Sequence, residues 1–199
     1  MSIVAVMQLV GAIGVGLFYP IQNWRAFVTR KPIGLSFLAF SVLAVGIAGY
    51  LALGLHLGTP IFWSLNISSL VFDILLLGLI YFWSPSLSIK EKIAGLLVIA
   101  IGFSTLSAVN IFWEQYAISV SGWMGFVGVV GFYPIQNAQL FRRRDPTGLS
   151  FTGFTSLFIG LCGLTIFGAL INDMTIIFGN GITALGTLSI LWAIARWKK

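Results

Sequence analysis

Asp73 is the one acid set inside a long apolar run of this sequence. Holding a charge there costs at least a few kcal/mol, so a carboxylate in that position is a functional candidate by default. Asn66 precedes it by seven residues, which at 100° per residue returns to within ~20° of the same helix face and ~10 Å along the axis. Ser69 falls on that face too, so a helix here carries the stripe Asn66, Ser69, Asp73. A second stripe, Asn180, Thr183 and Thr187, has the same spacing. Two such stripes facing one axis would line a polar cavity. Used singly, the same residues would serve interhelical hydrogen bonds worth ~0.6–2 kcal/mol per pair. There is no catalytic constellation: one histidine, His56, and one cysteine, Cys162, on different segments make neither a nucleophile pair nor a metal site. No enzyme activity, metal or cofactor is expected. His56 reads as an interfacial surface residue.

The elements that must position these groups follow from composition. Of 199 residues, 58% are hydrophobic and 8% charged, against roughly 25% charged in an ordinary soluble domain. Too few charges remain to cover a water-facing surface, so a soluble enzyme, a disordered chain and a disulfide scaffold are excluded. A membrane-spanning helix needs about 20 largely apolar residues. Stretches free of Asp, Glu, Lys and Arg, with the third continuing past Asp73, predict seven helices at 3–23, 35–56, 60–83, 93–113, 118–140, 150–171 and 174–195. The first run has no Lys or Arg before it and no Ala-x-Ala-like site, so it is expected to stay as helix 1 rather than to be a cleaved leader.

The basic residues alternate by loop. Arg25, Arg30 and Lys31 follow helix 1, Lys90 and Lys92 follow helix 3, Arg142, Arg143 and Arg144 follow helix 5, and Arg196, Lys198 and Lys199 follow helix 7. The opposite loops hold only Glu114 and Asp173. The positive-inside rule then predicts an integral membrane protein with its N-terminus outside and its C-terminus cytoplasmic. The net charge of +6 is a topology signal rather than a nucleic-acid patch, since the charges sit in short loops without a reading element.

The sequence repeats itself at an offset of 114. Phe18-Tyr19-Pro20-Ile21-Gln22-Asn23 returns as Phe132-Tyr133-Pro134-Ile135-Gln136-Asn137, and Pro32-x-Gly34-Leu35-Ser36-Phe37 returns as Pro146-x-Gly148-Leu149-Ser150-Phe151. Over residues 11–37, 16 of 27 positions are identical. The register holds through Gly46/Gly160, Gly49/Gly163, Gly54/Gly168 and Asn66/Asn180. The predicted organisation is a first three-helix repeat at 1–90, a linker helix at 91–114 and a second three-helix repeat at 115–199. Three helices per repeat is an odd number, so the linker restores the same orientation and makes the repeats parallel, an arrangement known in secondary transporters. Pro20 and Pro134 remove a helical donor and free the carbonyls of Gly16 and Val130. They serve either as hinges or as static kinks. Gln22, Asn23, Gln136 and Asn137 line an inner gate or cap helix ends.

This 3+1+3 plan, with Pro-x-Gln late in helices 1 and 5, a basic loop and then Gly-Leu-Ser-Phe, resembles the PQ-loop/SWEET (MtN3-like) superfamily. Here Ile21 and Ile135 stand between the proline and the glutamine. The group includes SWEET and SemiSWEET sugar carriers, the cystine exporter cystinosin and the KDEL receptor. The resemblance implies an all-α membrane carrier for a small polar solute, working by alternating access between two triple-helix bundles, with Pro20, Gln22, Pro134 and Gln136 at the hinge or gate. It also implies that Asn66 and Asn180 match the sugar-binding asparagine pair of SWEET proteins. Pocket tryptophans of that family are absent from helices 2 and 6, where Tyr50 and Phe167 are the nearest aromatic substitutes. Ser69-Leu70-Val71-Phe72-Asp73 is similar to the acidic helix of cystinosin, which implies a proton-coupled amino-acid carrier using Asp73. A receptor or sorting protein of the KDEL-receptor kind would want a more strongly charged cavity. The expected partners are a sugar or amino acid, the lipid bilayer and, with Asp73, protons. No nucleic acid and no obligate protein partner are expected, because two repeats in one chain complete a pathway.

Overall fold

The computed structural model describes residues 2–84 and 87–197. Lys198 and Lys199, two of the basic residues that set the expected orientation, lie outside the described residues. Seven helices follow one another: α1 (Ile3–Thr29), α2 (Phe37–His56), α3 (Pro60–Trp83), α4 (Ile89–Phe112), α5 (Glu114–Arg143), α6 (Phe151–Leu170) and α7 (Met174–Trp197). All seven are long and apolar enough to cross a membrane, and no strand occurs among the described residues. Large apolar side chains such as Phe82, Ile101 and Trp123 are exposed along them. That is the surface of an integral membrane protein, whose solvent is hydrocarbon.

The helix ends are written in the sequence. Ser2, Ser36, Ser88 and Ser150 cap α1, α2, α4 and α6 by accepting the backbone N–H of Ala5, Ala39, Glu91 and Gly153. Glu91 returns the bond to the Ser88 N–H and completes a capping box. Pro60 opens α3, where a missing donor costs nothing. The two repeats stop their helices alike. Arg30 and Arg144, repeat mates, both take a left-handed conformation (φ 49° and 51°) after α1 and α5. Gly58 and Asn172, also mates, do so after α2 and α6 (φ 61° and 57°), so the Thr59 N–H reaches Gly54 O and the Asp173 N–H reaches Gly168 O.

Three helices reach well beyond the apolar runs, α4 by starting at Ile89 rather than at 93. Helix α1 continues beyond Pro20 to Thr29, and α5 runs from Glu114 to Arg143. The two prolines therefore sit well inside their helices, not in the last turns. Hydropathy marks where lipid ends, whereas Asn, Gln, Arg and Trp beyond it remain compatible with helix and carry it into the aqueous layer.

The chain packs as two compact units. Unit 1 comprises residues 1–35 and 137–199, and unit 2 comprises residues 36–136. The grouping of helices by packing thus differs from their grouping by sequence repeat. In unit 1, α1 packs on α6 and α6 on α7. In unit 2, α2 packs on α3, α4 and α5. The closest approaches are made by glycine. A Cβ at Gly160 would fall 2.6 Å from the Val15 nitrogen in unit 1, and one at Gly46 would fall 2.7 Å from the Val129 nitrogen in unit 2. These two contacts are repeat images of each other. Beside them, Phe18 meets Phe154 edge-on at 5.0 Å, and its mate Phe132 meets Phe40 edge-on at the same distance. One packing motif is therefore built twice, each time from one helix of each repeat.

Candidate functional site

In unit 2 the polar stripe lies on α3. Asp73 is completely buried, and neither carboxylate oxygen has a hydrogen-bond partner among the described residues. Asn66, two turns earlier on the same face, is half-buried, and its Nδ2 donates to the Phe62 carbonyl at 2.8 Å. Ser69 between them is half-buried. Tyr50 of α2 packs edge-on against Phe62, ring centres 6.0 Å apart, and presses on the backbone at Gly125 of α5. Phe62 thus connects Tyr50 with Asn66.

Unit 1 carries the second stripe on α7. Asn180 is half-buried and its Nδ2 donates to the Ile176 carbonyl at 2.9 Å. Phe62 and Ile176 are repeat mates, so both asparagines hold the same local geometry. In each, one N–H returns to the helix, leaving Oδ1 and the second N–H for another partner. Thr183 and Thr187 are buried, and their hydroxyls donate to carbonyls of their own helix. This is the usual way for a threonine to satisfy itself inside an apolar helix. Phe167 of α6 is half-buried in the same unit. Asn66 and Asn180 therefore lie one in each unit.

The repeated Pro-x-Gln motif has a defined structural task. Gln22 is fully buried in unit 1. Its Nε2 donates to Gly148 O at 2.8 Å and its Oε1 accepts the Ser150 N–H at 2.8 Å. The amide therefore holds the loop that starts α6, the Gly-Leu-Ser segment of the opposite repeat. Gln136, also fully buried, accepts the Ser36 N–H on its Oε1 at 2.9 Å in unit 2. Both glutamines thus bond the backbone where α6 and α2 begin. The loop itself is tight. Gly148 N–H donates to Ile33 O at 2.8 Å, and Gly34 (φ 89°) leaves no room for a Cβ against the Asp145 carbonyl.

Pro20 is half-buried and Pro134 exposed. Nε2 of the exposed His56 meets Oδ1 of Asn110 on α4. Ser121 of α5 is buried with no partner for its hydroxyl among the described residues. Nothing in the sequence singled it out, because its repeat mate is Met7 and no polar stripe runs through it. Among the described residues no cluster of three His, Cys, Asp or Glu stands ready for a metal.

No family model and no curated protein sequence matches this chain. Its structure is similar to that of a eukaryotic SWEET transporter, with a TM-score of 0.64 covering 99% of each chain at 16% sequence identity. The all-helical, seven-helix architecture is therefore the SWEET fold, as the repeat and its motifs led one to expect.

Proposed function

We propose that this protein is a membrane carrier that moves a small polar solute, a sugar, by alternating access. The observation that carries the reading is the matched pair Asn66 and Asn180. They are repeat mates, one in each unit, each anchored by one N–H and each keeping an acceptor and a donor available. Each such amide can hold a hydroxyl without a net charge. Ser69, Thr183, Tyr50 and Phe167 complete the proposed binding residues. The likeness of fold to a SWEET transporter supports a transport role. In this reading Pro20 and Pro134 are the bending points, since a proline inside a helix leaves a carbonyl without its usual donor. The basic loops are placed on the cytoplasmic side by the positive-inside rule.

The test is exchange of radiolabelled sugars across proteoliposomes. Asn66→Ala and Asn180→Ala should each abolish it. Absence of any sugar or amino-acid exchange by the wild type would overturn the carrier reading.

A second reading rests on Asp73. A fully buried carboxylate without a hydrogen-bond partner has one ready use in a carrier, which is to take up and release a proton as the surroundings open to water. That would make the protein a proton-coupled amino-acid carrier. An imposed pH gradient should then drive accumulation in the wild type and not in Asp73→Asn.

A further inference from the structure

At one end of unit 1 the ends of four helices surround a cavity of about 640 Å³. Arg25 from the last turns of α1, Arg143 and Arg144 from the end of α5, and Trp197 from the end of α7 line it, facing Ser150 and Thr152 at the start of α6. The lining carries three guanidinium groups against one carboxylate, Asp145. That carboxylate is occupied locally, because its Oδ1 accepts both the backbone N–H and the hydroxyl of Thr147. The Arg25 and Arg144 guanidinium groups have neither an ion-pair nor a hydrogen-bond partner among the described residues. At the start of α6 the Phe151 and Thr152 N–H groups are likewise unclaimed, as the first donors of a helix are unless a cap takes them.

The repeat shows that the fold does not require the charges of Arg25 and Arg143, whereas Arg144 keeps a basic mate in Arg30. The mate of Arg25 is Gln139, a neutral amide whose Nε2 donates to Leu35 O at 2.7 Å. The mate of Arg143 is Thr29. A position that glutamine can fill by bonding the neighbouring loop carries, in this copy, an exposed cation with no ion-pair partner among the described residues. Positive charge needed only to orient helices belongs in any loop of that side. It does not need to converge on a cavity.

We propose that this cavity is a binding site for a phosphate group, held by Arg25 and Arg144 with the Phe151 and Thr152 N–H groups at its floor. Guanidinium matches phosphate oxygens with paired hydrogen bonds, and a helix N-terminus supplies further donors to the same anion. The cavity lies where helices end, the depth at which a bilayer presents its headgroups, and basic pockets between helix ends are known to take anionic headgroups. A phosphomonoester in solution presents the same chemistry, and the test separates the two sources.

The full-length protein is placed in nanodiscs of phosphatidylcholine, with or without phosphatidic acid, and retained lipid is counted by native mass spectrometry. In parallel, glycerol 3-phosphate is titrated onto the phosphatidylcholine discs and the unfolding temperature is followed. Retention of phosphatidic acid identifies the lipid source, and stabilisation by glycerol 3-phosphate identifies the soluble one. Either supports the site when the Arg25→Gln/Arg144→Gln double substitution weakens it by roughly ten- to thirty-fold, as expected for two removed charges. Thr152→Asp, at an exposed position, should weaken it as well. Lys90→Gln/Lys92→Gln removes the same charge in unit 2 and should leave it unchanged. The Gln139 precedent makes Arg25→Gln compatible with folding, checked by its unfolding temperature without phosphate. Failure of both probes to bind, or equal weakening by the Lys90/Lys92 pair, overturns the proposal.

Discussion

Gln22 spends both ends of its amide on a single loop, and that makes it a sensitive residue. Gln22→Leu keeps the volume but strands Gly148 O and the Ser150 N–H in the interior. Each buried group left unpaired costs ~1–3 kcal/mol, so the substitution should lower stability by about 2–4 kcal/mol, read as a fall in unfolding temperature. Asp73 behaves in the opposite sense. Its carboxylate makes no hydrogen bond among the described residues, so Asp73→Asn removes nothing the fold relies on. The variant should unfold at or above the wild-type temperature while losing any gradient-driven uptake. A fall in unfolding temperature would show that the carboxylate holds the helices together. Asp73 was legible in the sequence because a lone acid among apolar residues stands out by its cost. The task of Gln22 was not, because its two partners lie 126 and 128 residues away.

At the scale of elements, glycine decides which helices touch. A Cβ at Gly14 would come within 2.5 Å of Gly160 Cα, while one at Gly16 would meet nothing within 4 Å. Gly14→Val and its mate Gly128→Val should therefore both cut the yield of folded protein in detergent, and Gly16→Ala should be neutral by the same size-exclusion assay. The seven helices were legible from apolar length alone. The partnership of α1 with α6 was not. Two copies of Gly14 and two of Gly46 satisfy a contact within one repeat as well as a contact across repeats, and one sequence cannot tell these apart. The candidate site shows the same limit. Asn66 and Asn180 could be paired by offset, but the carbonyls they use, Phe62 and Ile176, only the helices themselves revealed.

For the whole molecule the charge pattern makes the most direct prediction. With Cys162 replaced, a cysteine at Lys31, Lys90 or Arg142 should label from the cytoplasmic side, and one at His56 or Asp173 from the opposite side. Labelling of both sets from one side would overturn the assigned orientation. The exchange of helices between repeats also bears on how such a chain is made. The glycine face of α1 leaves the ribosome long before α6 exists, so the first half must wait in the bilayer with a partner surface uncovered. Biogenesis then becomes an assembly of two halves that happen to be tethered. If the tether between α3 and α4 is cut at the gene level, fragments 1–86 and 87–199 should each be degraded when made alone. Made together, they should complement one another into a stable pair, measurable as co-purification and restored yield. The continuity of the chain would then be a convenience of synthesis, and the interleaved glycines the bond that makes it one protein.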